Sequence, residues 1–217
     1  MNFSASPYVL LTFATLFWAG NIVLGKAANP LIPAFSLSFW RWVVAFCLIL
    51  PLGIPAVRRD LDFYRQNWKY LMMLAFISVT AYNTLLYWAM NWTTAINVGV
   101  IGATMPLVIF FLLWVLGGQK AQVNQMAGVV LALTGVLLVI SKGDMGIITG
   151  LNINYGDMLV LIAVVCFAVY SILFKKLPAN IDQVGLITVF IFFGLIGITP
   201  FYAWDIYQGH FFTVDAN

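Results

Sequence analysis

The chain has 217 residues, 63% of them hydrophobic and 8% charged, with a formal net charge of +3. At a mean hydropathy of +1.00 it carries more apolar surface than a soluble domain can hide, because surface-to-volume scaling leaves many side chains outside. A soluble enzyme or binding module is excluded, and a bilayer is implied as the solvent.

A helical span needs roughly 20 mostly apolar residues to cross about 30 Å of hydrocarbon. The first candidate runs from Tyr8 to Leu24. Met1 to Pro7 carries no positive charge and no small-residue cleavage site follows, so this run stays as a span rather than a cleaved signal. The second runs from Ala34 to Leu52 and is closed by Pro51, Gly53 and Pro55. Tyr70 to Met90 is the third, and Ala95 to Leu116, with Pro106 inside it, the fourth. Met126 to Ile140, Met158 to Phe174 and Val184 to Tyr207 complete the series. None alternates apolar and polar residues as a barrel strand does. All therefore read as helices, which satisfy their own backbone groups in lipid. The fold class is all-α, a polytopic membrane helix bundle.

Loop charges orient it. Arg58, Arg59, Arg65, Lys69, Lys120, Lys175 and Lys176 fall in connections on one side, and Lys26 and Lys142 on the other. Basic loops stay cytoplasmic, so the N-terminus is expected inside the inner (plasma) membrane. The Arg58 to Lys69 cluster reads as a topology anchor on lipid headgroups, not a nucleic-acid site.

Catalysis has little to work with. The chain has no Glu and one His, His210, beyond the last span. Asp60, Asp62, Asp144, Asp157, Asp182, Asp205 and Asp215 lie in loops or near span ends. No Ser-His pair, metal spacing or phosphate-binding glycine loop is present. No enzyme activity, metal or cofactor is expected. Cys47 and Cys166 fall inside spans and read as small packing residues.

Neutral polar groups within the spans are more informative. Trp18 and Asn21 share a face of span one with Thr15. Tyr82 lies one turn from Ser78 in span three, with Asn83 and Tyr87 on the adjacent face. Asn97 and Thr104 share a face of span four, and Tyr170 lies in span six. Any one of these serves equally as an interhelical hydrogen bond, worth about 0.6 to 2 kcal/mol. As a set from four helices they point to a polar-aromatic substrate cavity, neutral in character and suited to zwitterionic or amphipathic molecules. Arg41, deep in span two, reads as structural at least as readily as anion-binding. Gly128 and Gly135 in span five mark a close helix crossing, and Pro106 marks a bend.

The chain also begins to repeat itself. At a spacing of 149 residues, Trp18 falls on Phe167, Ala19 on Ala168, Leu24 on Leu173, Lys26 on Lys175 and Leu37 on Leu186. Five spans separate the copies, an odd number, so the second enters the membrane upside down. Inverted repeats are a transporter architecture with the substrate path at the repeat interface.

Phe17 to Asn21, Pro33 with Phe39 to Arg41 and Ala45, Leu86 to Met90, Thr94-Ala95 leading to Pro106, Leu116 to Lys120, and Gly128 to Gly135 stand in an order and spacing that resemble the EamA-like branch of the drug/metabolite transporter superfamily. The resemblance implies ten helices in two inverted five-helix repeats. Residues 1–150 would form the first repeat, and residues 151–217 the first two helices of a truncated second. Gln119 stands where that family usually has a glutamate. The expected function is an inner-membrane transporter, an exporter of small organic metabolites or drugs working by alternating access. The alternative is a non-transporting membrane scaffold or assembly subunit. Expected partners are a small-molecule substrate and the bilayer, without nucleic acid; a homodimer is compatible with this reading.

Overall fold

The computed structural model describes residues 6–117, 122–141 and 154–209. Gln119, Lys120, Lys142, Asp144, His210 and Asp215 lie outside them. The described residues form α1 (Pro7–Ala28), α2 (Ala34–Arg59), α3 (Leu61–Ala89), α4 (Ala95–Ala103), α5 (Met105–Gly117), α6 (Val123–Ser141), α7 (Tyr155–Phe174) and α8 (Gln183–Tyr207). Six helical stretches are long and apolar enough to cross a membrane, with Ala95–Val115 counted as one, and α6 adds the shorter apolar stretch Val123–Gly135. Leu11, Phe13, Leu16, Phe17 and Leu24 on α1 are exposed. Such a surface is stable against acyl chains, so the protein is a polytopic membrane helix bundle.

Two ends differ from the sequence expectation. Pro51, Gly53 and Pro55 do not close α2, which continues to Arg59. Each proline forfeits a backbone bond, but α8 packs along α2 and holds the helix together, with Gly53 and Ala56 buried in the seam. A Cβ on Gly53 would be driven into the Thr188 side chain, so only glycine allows this approach. The stretch from Leu61 to Lys69, read as a connection, is the polar start of α3.

α2 and α8 run antiparallel and form the most extensive helix pair among the described residues. Both of their joined ends are tied by aspartates. At the basic end Asp182 accepts from Val184 N at 2.9 Å, capping α8, and pairs with Arg59 at 2.8 Å. At the other end Asp205 of α8 accepts from Ser36 N at 2.9 Å and Ser36 Oγ at 3.1 Å, capping α2. Both links run between segments far apart in sequence.

α3 threads two buried clusters. Its first half packs Tyr64, Leu71, Leu74 and Val79 with Leu186, Phe190 and Ile198 of α8. Its second half packs Tyr82, Leu86, Tyr87 and Met90 with Val98 of α4 and Leu159, Val160 and Ala163 of α7. Van der Waals fit, not water exclusion, holds such contacts in lipid. Between the clusters, Phe76–Ala81 winds as a π-helix. A π-turn shifts the backbone register and re-aims side chains, which is why such turns recur at functional sites.

Candidate functional site

A cavity of about 450 Å³ opens beside the π-turn, a volume typical of small-molecule sites. Five helices wall it. α1 supplies Phe17, Trp18 and Asn21; α2 supplies Arg41 and Trp42; and α3 supplies Ser78, Val79, Tyr82 and Asn83. α7 adds Phe167 and Tyr170, and α8 adds Ile187, Phe190 and Ile191.

The π-turn builds the polar wall. Asn83 Nδ2 donates to Ser78 O at 3.0 Å and Val79 O at 3.1 Å, both carbonyls of the π-turn. That fixes the amide with its oxygen toward α2, where Asn83 Oδ1 accepts from Arg41 Nη2 at 2.6 Å. The guanidinium lies over the Trp42 ring at 4.7 Å and the Tyr87 ring at 5.2 Å. Tyr87 Oη in turn donates to Asn21 Oδ1 at 2.7 Å. Opposite stands an aromatic wall. Trp18 meets Phe167 at 5.6 Å and Tyr82 at 6.4 Å between ring centroids, and Tyr82 meets Phe167 at 4.8 Å. Tyr170 continues it, 5.4 Å from Phe167 and 6.1 Å from Phe190.

Of the residues expected at a cavity, Trp18, Asn21, Tyr82, Asn83 and Tyr170 share this one. Asn97 and Thr104 lie elsewhere. Asn97 Nδ2 donates to both oxygens of Asp157, at 3.1 and 3.2 Å. Asp157 is buried in the first turn of α7, where it also accepts from Thr93 Oγ1 and from Asn154 N at 3.0 Å. Thr104 Oγ1 turns back onto Ile101 O at 2.6 Å and stays within its own helix. Helical period put these two on one face but could not show that a buried carboxylate of α7 faces it.

Arg41, read as structural, lines the cavity, which is therefore not neutral. Pro106 follows the break at Thr104 between α4 and α5, as its missing N–H requires. Gly128 and Gly135 do not make a close crossing: a Cβ at either meets nothing within 4 Å among the described residues. The close approaches lie on α8, where a Cβ on Gly194 would strike Val79 of the π-turn.

The sequence reading missed Trp42, Phe167, Phe190 and Ile191, although a signal for them existed. Four pairs on the wall keep the one spacing of 149 residues: Trp18 with Phe167, Asn21 with Tyr170, Arg41 with Phe190, and Trp42 with Ile191. Applied to Trp18 and Arg41, the spacing locates Phe167 and Phe190, whereas Trp42 and Ile191 are found only as each other's mates.

Comparison with known proteins fits this architecture. Residues 5–141 match the model of the EamA-like transporter family. An uncharacterized transporter of Archaeoglobus fulgidus is 28% identical over 205 residues, 91% of this chain and 67% of that protein. The uncharacterized transporter YetK of Bacillus subtilis is 26% identical, covering 89% of this chain and 59% of its own. YyaM of the same organism is 25% identical, covering 78% and 55%. The chain thus spans about half to two thirds of the length of these relatives. No solved structure matches it. With a family model covering more than half of its residues, laid over a helix bundle of the expected kind, the chain belongs to the EamA-like transporter family.

Proposed function

We propose that the protein carries small organic metabolites or drugs across the inner membrane as an exporter, by alternating access, with the five-helix cavity as the substrate site. The observation that carries this reading is the repeat spacing within the cavity wall. Two segments 149 residues apart each supply four wall positions. A cavity built from equivalent parts of two inverted repeats can open to either side by rocking one against the other. The domain reading, 1–150 and 151–217, follows from the same spacing. The loop charges support a cytoplasmic N-terminus: Arg58, Arg59 and Arg65 cluster at the end of the bundle that also holds Lys175. A scaffold protein would need neither a walled cavity nor a matched wall.

The test is transport. Efflux of candidate metabolites and of anionic, neutral and cationic dyes is followed in cells and in inverted vesicles containing the protein. Trp18→Ala removes the ring shared by Phe167 and Tyr82 and is expected to cut flux at least tenfold at unchanged membrane abundance. Cys47→Ser, at an exposed position outside the cavity, is expected to leave it unchanged. Flux unaffected by Trp18→Ala would remove the cavity from the pathway.

A further inference from the structure

The cavity has the positions of a two-fold pair but the chemistry of one side only. Arg41 and Phe190 occupy equivalent places at the repeat spacing, one cationic and one aromatic. Arg41 is the one charged side chain on the wall among the described residues. A guanidinium stays protonated in any protein environment, and carrying one into the membrane interior is costly unless its donors and its charge are met. Here they are met in part. Nη2 is held by Asn83 Oδ1 at 2.6 Å, a neutral acceptor. The rings of Trp42 and Tyr87 take up some of the charge. Nε is buried without a hydrogen-bond partner among the described residues. Among the described residues, three carboxylates are each engaged away from the cation: Asp157 holds Thr93 and Asn97, Asp205 holds Ser36, and Asp182 pairs with Arg59. Fixed by Asn83 and stacked on Trp42, the guanidinium is pre-organised for a planar anion, and its two-donor fork matches a carboxylate.

Resting on the transporter reading above, the geometry points to an amphipathic monocarboxylate as the substrate class. Its carboxylate takes the terminal guanidinium donors that Asn83 and the Tyr87 hydroxyl leave free, Nε being buried, and its apolar or aromatic body lies across Trp18 and Phe167 toward Phe190. Among the described residues a dicarboxylate meets no second cation on the wall, and an organic cation meets Arg41 as a like charge. The cavity of about 450 Å³ takes an aryl-acetate-sized molecule whole.

The experiment uses indole-3-acetate and indole-3-acetamide, near-isosteres in which the anionic carboxylate of the first is a neutral amide in the second. Binding to the purified protein in nanodiscs of phosphatidylcholine alone is measured by equilibrium dialysis; the absence of anionic lipid removes headgroup competitors. The acetate is expected to bind at least tenfold more tightly than the amide, about what a charge-assisted pair provides over a neutral one. Arg41→Gln should bring the ratio of the two affinities to about one. Asn83→Asp provides a second route if Arg41→Gln fails to fold. It places a resident carboxylate against Nη2 with little change in shape, and should lower acetate affinity at least tenfold relative to amide affinity. Equal binding of both probes to the unaltered protein, or a ratio preserved in either variant, would overturn the carboxylate assignment. If both probes bind equally and both are weakened by Trp18→Ala, the cavity remains the binding site and only the charge selection is wrong. If neither probe binds, the monocarboxylate assignment is overturned, while the transport reading stands or falls on the flux assay.

Discussion

Removing the Asp157 carboxylate should loosen the end of the bundle where α3, α4 and α7 meet. In the structure this one side chain serves Thr93 Oγ1, Asn97 Nδ2 and Asn154 N, and completes a capping box with Asn154, whose side chain accepts from Asp157 N at 3.0 Å. Asp157→Ala leaves the Thr93 hydroxyl, 2% exposed, without its acceptor. An orphaned buried donor costs about 1–3 kcal/mol. Asn97 and Asn154 are only partly buried and recover some bonding from water. Loss of a negative charge at a helix N-terminus adds about 0.3–1 kcal/mol. The sum is about 3 kcal/mol, which for a chain of this size lowers Tm by roughly 6–12 °C. Thermal unfolding in detergent, followed by ellipticity, measures it. Asn97→Ala alone should cost about 1 kcal/mol, because Asp157 keeps its other donors. In the Asp157→Ala background it should cost close to nothing, since its partner is already gone. A Tm drop under 2 °C for Asp157→Ala, or single-variant effects that simply add, would refute this account. Asn97→Ala should also leave indole-3-acetate binding intact, which separates its place beside Asp157 from the cavity position first expected for it.

Two further outcomes follow from the same coordinates. Gly53→Val should lower stability by about 1–3 kcal/mol through overpacking against Thr188, and Thr188→Ala should recover part of it in thermal unfolding. With Cys47 and Cys166 replaced by serine, a cysteine at position 62 should react with an impermeant thiol reagent only after permeabilisation; labelling in intact cells would reverse the proposed orientation.

How much of this was legible before the structure depends on the kind of residue. Apolar runs located the helices, because a bilayer imposes a length on anything that crosses it. The ends were less legible. Pro51 and Pro55 read as a stop because in an isolated helix they would be one, and only the α8 neighbour along α2 overrides them. The phase of the π-turn had no sequence marker at all. Phe76–Ala81 contains neither glycine nor proline, and its winding reflects contacts made elsewhere, Thr80 Oγ1 to Gly194 O at 3.0 Å among them. Asp157 and Asp205 stand in loops or near span ends, and the sequence alone assigns them no partner. Both are buried: Asp205 accepts the free Ser36 N–H at the start of α2, and Asp157 gathers the Thr93 hydroxyl, the Asn97 amide and the Asn154 N–H at the start of its own helix.

Polar residues inside spans divide by what else is at their depth. Asn21 and Asn97 look alike in sequence: each is an amide in an apolar helix. Asn97 lies near the start of α4, level with the first turn of α7, so a carboxylate was within reach to claim it. Asn21 lies well inside α1 on the cavity wall that also holds Arg41 and Asn83, and it ends as the acceptor of Tyr87. Depth along the helix therefore sorted the two amides where helical face could not. The repeat spacing bears on depth as well, since an inverted repeat carries equivalent positions to mirrored depths, which coincide only near the middle of the membrane. That is why Trp18, Asn21, Arg41 and Trp42 each find their mates on the same wall. Polarity by itself also selected Thr104, which bonds only its own turn. In a chain of this architecture, a position whose repeat mate is a large aromatic or aliphatic residue is better evidence for a cavity than a polar side chain alone.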